Sequence, residues 1–237
     1  MLTLATTTPG EPEIFASLQG EGPSAGRPST FVRLSRCNLA CTWCDTAYTW
    51  DFARFERKAN QVALSEAETA AQIVALGQDR LVVTGGEPLL QAAALARMLT
   101  ALLALLPDMH VEIETNGTVA PSPALDALIH QYNVSPKLAH SGNPAALALV
   151  PARLAAFAAD PRAFFKFVIA APGDLAEVLA LQAAHGIPGA RLFVMPEGTD
   201  SATLRDRSRW LSAAAMDHGL RFTDRLHIHL YGDTRGT

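Results

Sequence analysis

The three cysteines of this 237-residue chain, Cys37, Cys41 and Cys44, fall within eight positions of one another. A disulfide framework would scatter an even number of thiols along the chain, so this spacing reads as one loop curled around a common centre. Thiolates suit iron–sulfur clusters and zinc, and three protein ligands leave one coordination position open. A structural zinc needs a fourth ligand, yet the nearest histidine in sequence is His110 and none follows at finger-like spacing. Plain core cysteines are the other alternative, but thiols flanked by Arg36 and Asp45 at these spacings share no face of a regular element.

The pattern Cys-x3-Cys-x2-Cys resembles the signature of the radical S-adenosylmethionine (SAM) enzymes. That resemblance implies a [4Fe–4S] cluster whose fourth iron is ligated by SAM, and cleavage of SAM to a 5′-deoxyadenosyl radical. The protein's share of such chemistry is orientation and shielding. Thr84-Gly85-Gly86-Glu87-Pro88 is similar to the glycine-rich turn that approaches the methionine end of SAM in that superfamily. A plain strand-to-helix turn would account for the glycines and Pro88, but not for Glu87. Glu114-Thr115-Asn116 and Ser135-Pro136-Lys137 also put polar groups after apolar runs, as a shared pocket at one rim would require. The cofactor-binding set implied by the resemblance is Trp43, Asp45, Gly86, Glu87, Glu114, Asn116, Ser135, Pro136, Lys137 and Met195.

Upstream, the string from Glu13 through Gln19-Gly20-Glu21-Gly22-Pro23, with Arg33 and Thr46, resembles the 7-carboxy-7-deazaguanine synthases, a branch of the same superfamily. The implied reaction is a radical ring contraction of 6-carboxy-5,6,7,8-tetrahydropterin with loss of ammonia, feeding queuosine and related deazapurines. Leu18, Gln19, Gly20, Glu21, Arg33 and Thr84 are then the expected substrate contacts, with Arg33 able to grip a carboxylate through a forked pair of hydrogen bonds. Gly20 and Gly22 are expected to let backbone lie against a flat ring. Thr46 corresponds to a magnesium contact, an ion that takes oxygen ligands and borrows them from substrate. The resemblance also implies a homodimer and an external electron donor of flavodoxin or ferredoxin type. A radical SAM activase that generates a glycyl radical on a partner enzyme shares the cysteine spacing and is the alternative.

These residues need a scaffold that brings strand ends together. Short apolar runs at 30–34, 80–84, 110–115, 132–135, 164–169, 191–195 and 226–228, nearly continuous in hydrophobicity, read as strands. Helical patterns at 65–76, 89–106, 124–130, 145–158, 175–185 and 201–218 lie between most of them. Ser65 with Glu68 forms a candidate capping box, Asn143 before Pro144 a helix start, and Gly186 and Gly219 helix ends. Strands alternating with helices build a parallel sheet. The expected fold is therefore α/β, a partial, open (β/α)6-type barrel in a single domain over 1–237, with 1–29 an irregular lead-in and 54–61 a polar loop. In the tail, Arg225 to Gly232 alternates like an edge strand with His227 and His229 on one face. A net charge of −4, from 19 Lys+Arg against 23 Asp+Glu, argues against nucleic acid or anionic lipid as a partner. With no basic, apolar leader at the start and no run of ~20 apolar residues, a cytoplasmic enzyme acting on a small molecule is expected.

Overall fold

The computed structural model describes the whole chain, residues 1–237. One sheet contains β1 (Leu2–Thr8), β2 (Glu11–Pro12), β3 (Ile14–Leu18), β4 (Pro28–Leu34), β5 (Gln61–Leu64), β6 (Arg80–Gly85), β7 (His110–Thr115), β8 (Gln131–Val134), β9 (Ala163–Ile169), β10 (Leu192–Pro196) and β11 (Arg221–Phe222). The helices are α1 (Arg57–Asn60), α2 (Glu66–Leu76), α3 (Ala92–Leu105), α4 (Pro123–Asp126), α5 (Ala145–Ala148), α6 (Pro151–Ala159), α7 (Pro172–His185), α8 (Ser201–Asp217) and α9 (Leu226–Tyr231). The strand order is β11-β10-β9-β8-β7-β6-β4-β1-β2, with β3 also on β4 and β5 on β1. From β4 through β11 every pairing is parallel, which gives the expected run of βα units from β4 to α8 in a sheet that does not close. Arg33 on β4 and Met195 on β10 line one cavity although five inter-strand steps, about 24 Å in a flat sheet, separate them. The sheet is therefore strongly curved, and its concave face is a lumen.

The first 29 residues are not irregular. The threonine-rich run Leu2–Thr8, with four β-branched residues, forms β1, and Pro9-Gly10 turns the chain, Gly10 at φ +90°, into β2. β1, β2, β3 and β5 pair antiparallel, so the sheet is mixed. The expected polar loop at 54–61 contains α1 and leads into β5. The helix expected over 145–158 is split into α5 and α6, because Pro151 cannot donate to a preceding turn and disfavours helical backbone at Val150. The capping box of α2 and the left-handed Gly186 after α7 form as the sequence indicates.

The strands alternate more sharply than continuous hydrophobicity implied. Val32, Leu34, Leu81, Val83, Val111, Ile113, Tyr132, Val134, Phe165, Phe167, Leu192 and Val194 point outward into one core packed against the helices. Their neighbours Arg33, Thr84, Glu114 and Lys166 line the lumen cavity. Pro88–Leu105 is long and apolar enough to cross a membrane by length and composition, but here it lays Leu95, Met98, Leu99 and Leu102 into that core.

Candidate active site

The cysteine loop leaves β4 at the end of the lumen, and its start is held by close backbone packing. Arg36 adopts the left-handed conformation at φ 78°, unusual for a side chain with a Cβ. Its N–H donates to the Thr49 carbonyl at 2.7 Å, and its own carbonyl accepts from Glu87 N–H at 2.9 Å. All three sulfurs reach the cavity and none is in a disulfide. Each meets a nitrogen donor: Asn143 Nδ2 at 3.2 Å from Cys41, Trp50 Nε1 at 3.3 Å from Cys44, and Leu39 N–H at 3.5 Å from Cys37. Burial pushes the Cys37 thiol up to about 11, so a bare thiolate is disfavoured without a positive centre. Three free thiols on one pocket, each with a hydrogen-bond donor, fit an iron–sulfur cluster.

The glycine-rich turn sits directly on this loop. A Cβ on Gly86 would lie 2.1 Å from the Arg36 carbonyl oxygen, and one on Gly85, at φ +137°, 2.1 Å from that of Leu34. These glycines are thus dictated by backbone packing against the loop. Glu87 faces away from the cavity: wholly buried, its carboxylate accepts from Leu89 N–H, Thr115 Oγ1 and Asn116 N–H. That carboxylate fixes the end of β7, so Asn116 reaches Asn38 in the cysteine loop at 2.9 Å. Glu87 and Pro136, both expected to touch the cofactor, lie outside the cavity lining. Trp43, Asp45, Gly86, Asn116, Ser135, Lys137 and Met195 do line it. Trp43 stacks on His140 with ring centroids 5.4 Å apart and carries Lys137 Nζ 5.4 Å from its own ring centroid.

On the other side of the cavity the lumen is charged. Lys166 Nζ donates to Glu114 Oε2 at 2.9 Å and to Glu21 Oε2; Arg225 Nε donates to Glu21 Oε1 at 3.0 Å. Arg225 also reaches Asp45 and donates to the Gly198 carbonyl at 2.6 Å. Gln19 Nε2 donates to Glu114 Oε1 at 3.3 Å, with Asn133 behind it. Burial works to raise the Glu21 carboxyl, but Lys166, Arg225 and His227 together hold it well below its ordinary value. Glu114 is raised, because burial and the nearby Glu21 charge outweigh Lys166. Arg33 Nε donates to the fully buried Glu13 at 2.7 Å, and Tyr48 donates to the other Glu13 oxygen at 2.8 Å. The terminal nitrogens of Arg33 meet no protein acceptor, which leaves the fork free toward the cavity.

The cavity brings together Leu18, Gln19, Gly20, Glu21, Arg33, Thr84, Thr46 and the cysteines. Glu114, expected beside the cofactor, sits instead with Gln19 and Lys166. Packing against the tail also requires glycine at position 20: a Cβ there would lie 2.2 Å from His227 Nδ1. The tail is helix α9 where a strand was expected, docked by Leu226 N–H on the Gly20 carbonyl. Residues two apart on a helix point to different sides. His227 enters the cavity, while His229 turns to Asp224 at 3.2 Å and Ser201 at 3.1 Å, so the two imidazoles do not pair. The sequence reading missed Lys166, Arg225 and Asn143 as site residues. The lone lysine in Phe164-Phe165-Lys166-Phe167 was the available signal, since a charge in an otherwise apolar strand must face something polar. Asn143, read as a helix start, instead accepts from Ala40 N–H through Oδ1 and donates to Cys41.

A curved, open, mostly parallel sheet with three free thiols at the rim of its lumen has the form of a radical SAM enzyme, and residues 32–135 match the family model described as Radical SAM superfamily. Two solved structures share the fold. QueE from Escherichia coli aligns with TM-score 0.68 at 24% identity over 95% of each chain; Streptococcus suis SuiB bound to S-adenosylmethionine aligns at 0.54 and 15%, over 79% of this chain and 48% of that one. The chain is 41% identical to the 7-carboxy-7-deazaguanine synthase of Pyrobaculum aerophilum, over 94% of its own length and 95% of the relative's. It is 37% identical to that of Halobacterium salinarum, over 95% and 91%. It belongs to the 7-carboxy-7-deazaguanine synthase family.

Proposed function

We propose that this enzyme converts 6-carboxy-5,6,7,8-tetrahydropterin to 7-carboxy-7-deazaguanine with loss of ammonia, using a [4Fe–4S] cluster, SAM and Mg2+. The observation that carries the reading is one cavity with three thiols on one side and the Arg33, Glu21 and Glu114 side chains on the other. Cys37, Cys41 and Cys44 would hold the cluster, which with SAM supplies a 5′-deoxyadenosyl radical able to remove hydrogen from an unactivated carbon. Trp43, Gly86, Asn116, Ser135, Lys137 and Met195 border the space for SAM. Asp45 borders it as well, with its carboxylate committed to Arg225.

The chain's own residues bind and orient the pterin. Arg33, steadied through Nε by Glu13, offers its free fork to the substrate carboxylate. Gln19, Glu21 and Glu114 accept from and donate to the amide and amino edge, while Leu18, Gly20 and Thr84 complete the walls. Thr46 Oγ1, whose one side-chain hydrogen-bond partner is Cys44 Sγ at 3.7 Å, would ligate magnesium together with substrate oxygens. The resemblance extends the reading to a homodimer working in the cytoplasm with an electron donor of flavodoxin or ferredoxin type. Anaerobic protein reconstituted with iron and sulfide, given SAM, reductant, Mg2+ and carboxytetrahydropterin, is expected to yield 5′-deoxyadenosine and the deazapurine acid. Recovery of unchanged pterin, with deoxyadenosine formed only when a glycyl-radical protein is added, would overturn it. Chelation is expected to lower turnover and magnesium to restore it.

A further inference from the structure

Lys166 has no task in the recognition just described, yet it is 6% exposed and is the one charged residue of β9. A buried ammonium persists where it is paired, and here both partners are carboxylates of the substrate side, from β7 and from the segment after β3. After their protein hydrogen bonds to Lys166, Arg225, Gln19 and Asn133, both carboxylates keep acceptor capacity at the cavity. Two carboxylates sharing a site cannot both remain ionised without a cation between them. One would take a proton and present a donor where the N–H edge of a pterin needs an acceptor.

We propose that Lys166 is a positioning residue for substrate recognition: its ammonium bridges Glu21 and Glu114, opposes protonation of either, and so favours both carboxylates as acceptors aimed at the N–H edge of the pterin. The proposal rests on the pterin reading and deepens it. Arg225 and His227 also face Glu21, with Asp45 beyond Arg225, and Glu112 faces Glu114. Because Arg225 is already engaged by Asp45 and Gly198, it does not replace Lys166 at Glu114. Arg33, the other cation of the cavity, is paired through Nε with Glu13 and does not reach Glu21 or Glu114.

The test compares parent, Lys166→Met and Lys166→Arg as cluster-loaded enzymes with SAM and carboxytetrahydropterin across pH. Lys166→Met is expected to raise KM at least tenfold with kcat within threefold, and to move the acid limb of kcat/KM upward by a pH unit or more. Lys166→Arg should recover most of the KM and return the limb, which a merely structural role would not do. Should Lys166→Met fail to fold, Lys166→Gln, which still donates but carries no charge, decides by the same limb. A KM and acid limb within twofold and 0.2 pH units of the parent would overturn the proposal while leaving the pterin reading intact. A parent that forms no deazapurine overturns both.

Discussion

Glu87 shows how a residue can belong to a site without touching what binds there. Both carboxylate oxygens are consumed by protein donors, and through them the glycine-rich turn is tied to the end of β7. Glu87→Gln replaces one acceptor oxygen by a donor group facing other donors, so it is expected to cost about 1–3 kcal/mol and to lower the melting temperature, with SAM affinity falling only secondarily. Cys41→Ala is expected to abolish iron loading beyond partial occupancy and all SAM cleavage, read by iron content and deoxyadenosine formation; full cleavage activity in that variant would remove the thiol from the ligand set. The cysteines, Glu21 and Arg33 were legible because their types and spacing carry chemistry on their own. Lys166 and Arg225 were not, since each gains meaning only from carboxylates distant in sequence, 52 and 145 positions away for Lys166 and 180 and 204 for Arg225, brought near by the curvature of the sheet.

At the level of elements, most of the order of strands and helices from β4 to α8 was readable because most units repeat an apolar run and a helix; α1, β5 and the split of α5 from α6 were not, being too short to carry a period. The tail was misread because a six-residue segment carries too little periodicity to separate strand from helix, and docking on Gly20 decides it. Two of the three close-packed glycines, Gly86 and Gly20, turn that into a test. Gly86→Ala pushes a methyl into the Arg36 carbonyl, and is expected to destabilise by about 1–3 kcal/mol and to cut iron incorporation. Gly20→Ala should displace His227 and α9 while sparing the cysteine loop, so iron loading stays near that of the parent and pterin KM rises. Equal loss of iron in both variants would show that the two ends of the cavity are not separable.

For the molecule as a whole, Arg225 joins three segments: Glu21 from the N-terminal lead-in, Asp45 beside the cysteines and Gly198 after β10. Removing one partner of a buried ion pair strands the others, so Arg225→Leu is expected to cost roughly 3–5 kcal/mol and to lower the melting temperature by on the order of 10 °C. The same network fixes a pH window. Glu21, held low, adds stability that is present above its ordinary value of 4.5 and lost as the pH falls through its depressed folded value. Lys166, held high, adds stability present below 10.5 and lost as the pH rises through its folded value. This pair therefore adds no slope of its own between about pH 5 and pH 9, while the raised Glu114 carboxyl adds stability that is lost as the pH rises from 4.5 through its folded value; a melting temperature that climbs steeply over that interval would contradict the assignment. The alternation of the strands has a longer reach. Because greasy positions face the helices and polar ones face the lumen, altered chemistry can be explored on alternate residues while the intervening ones keep the chain folded, so new specificities can arise without dismantling the scaffold that carries them.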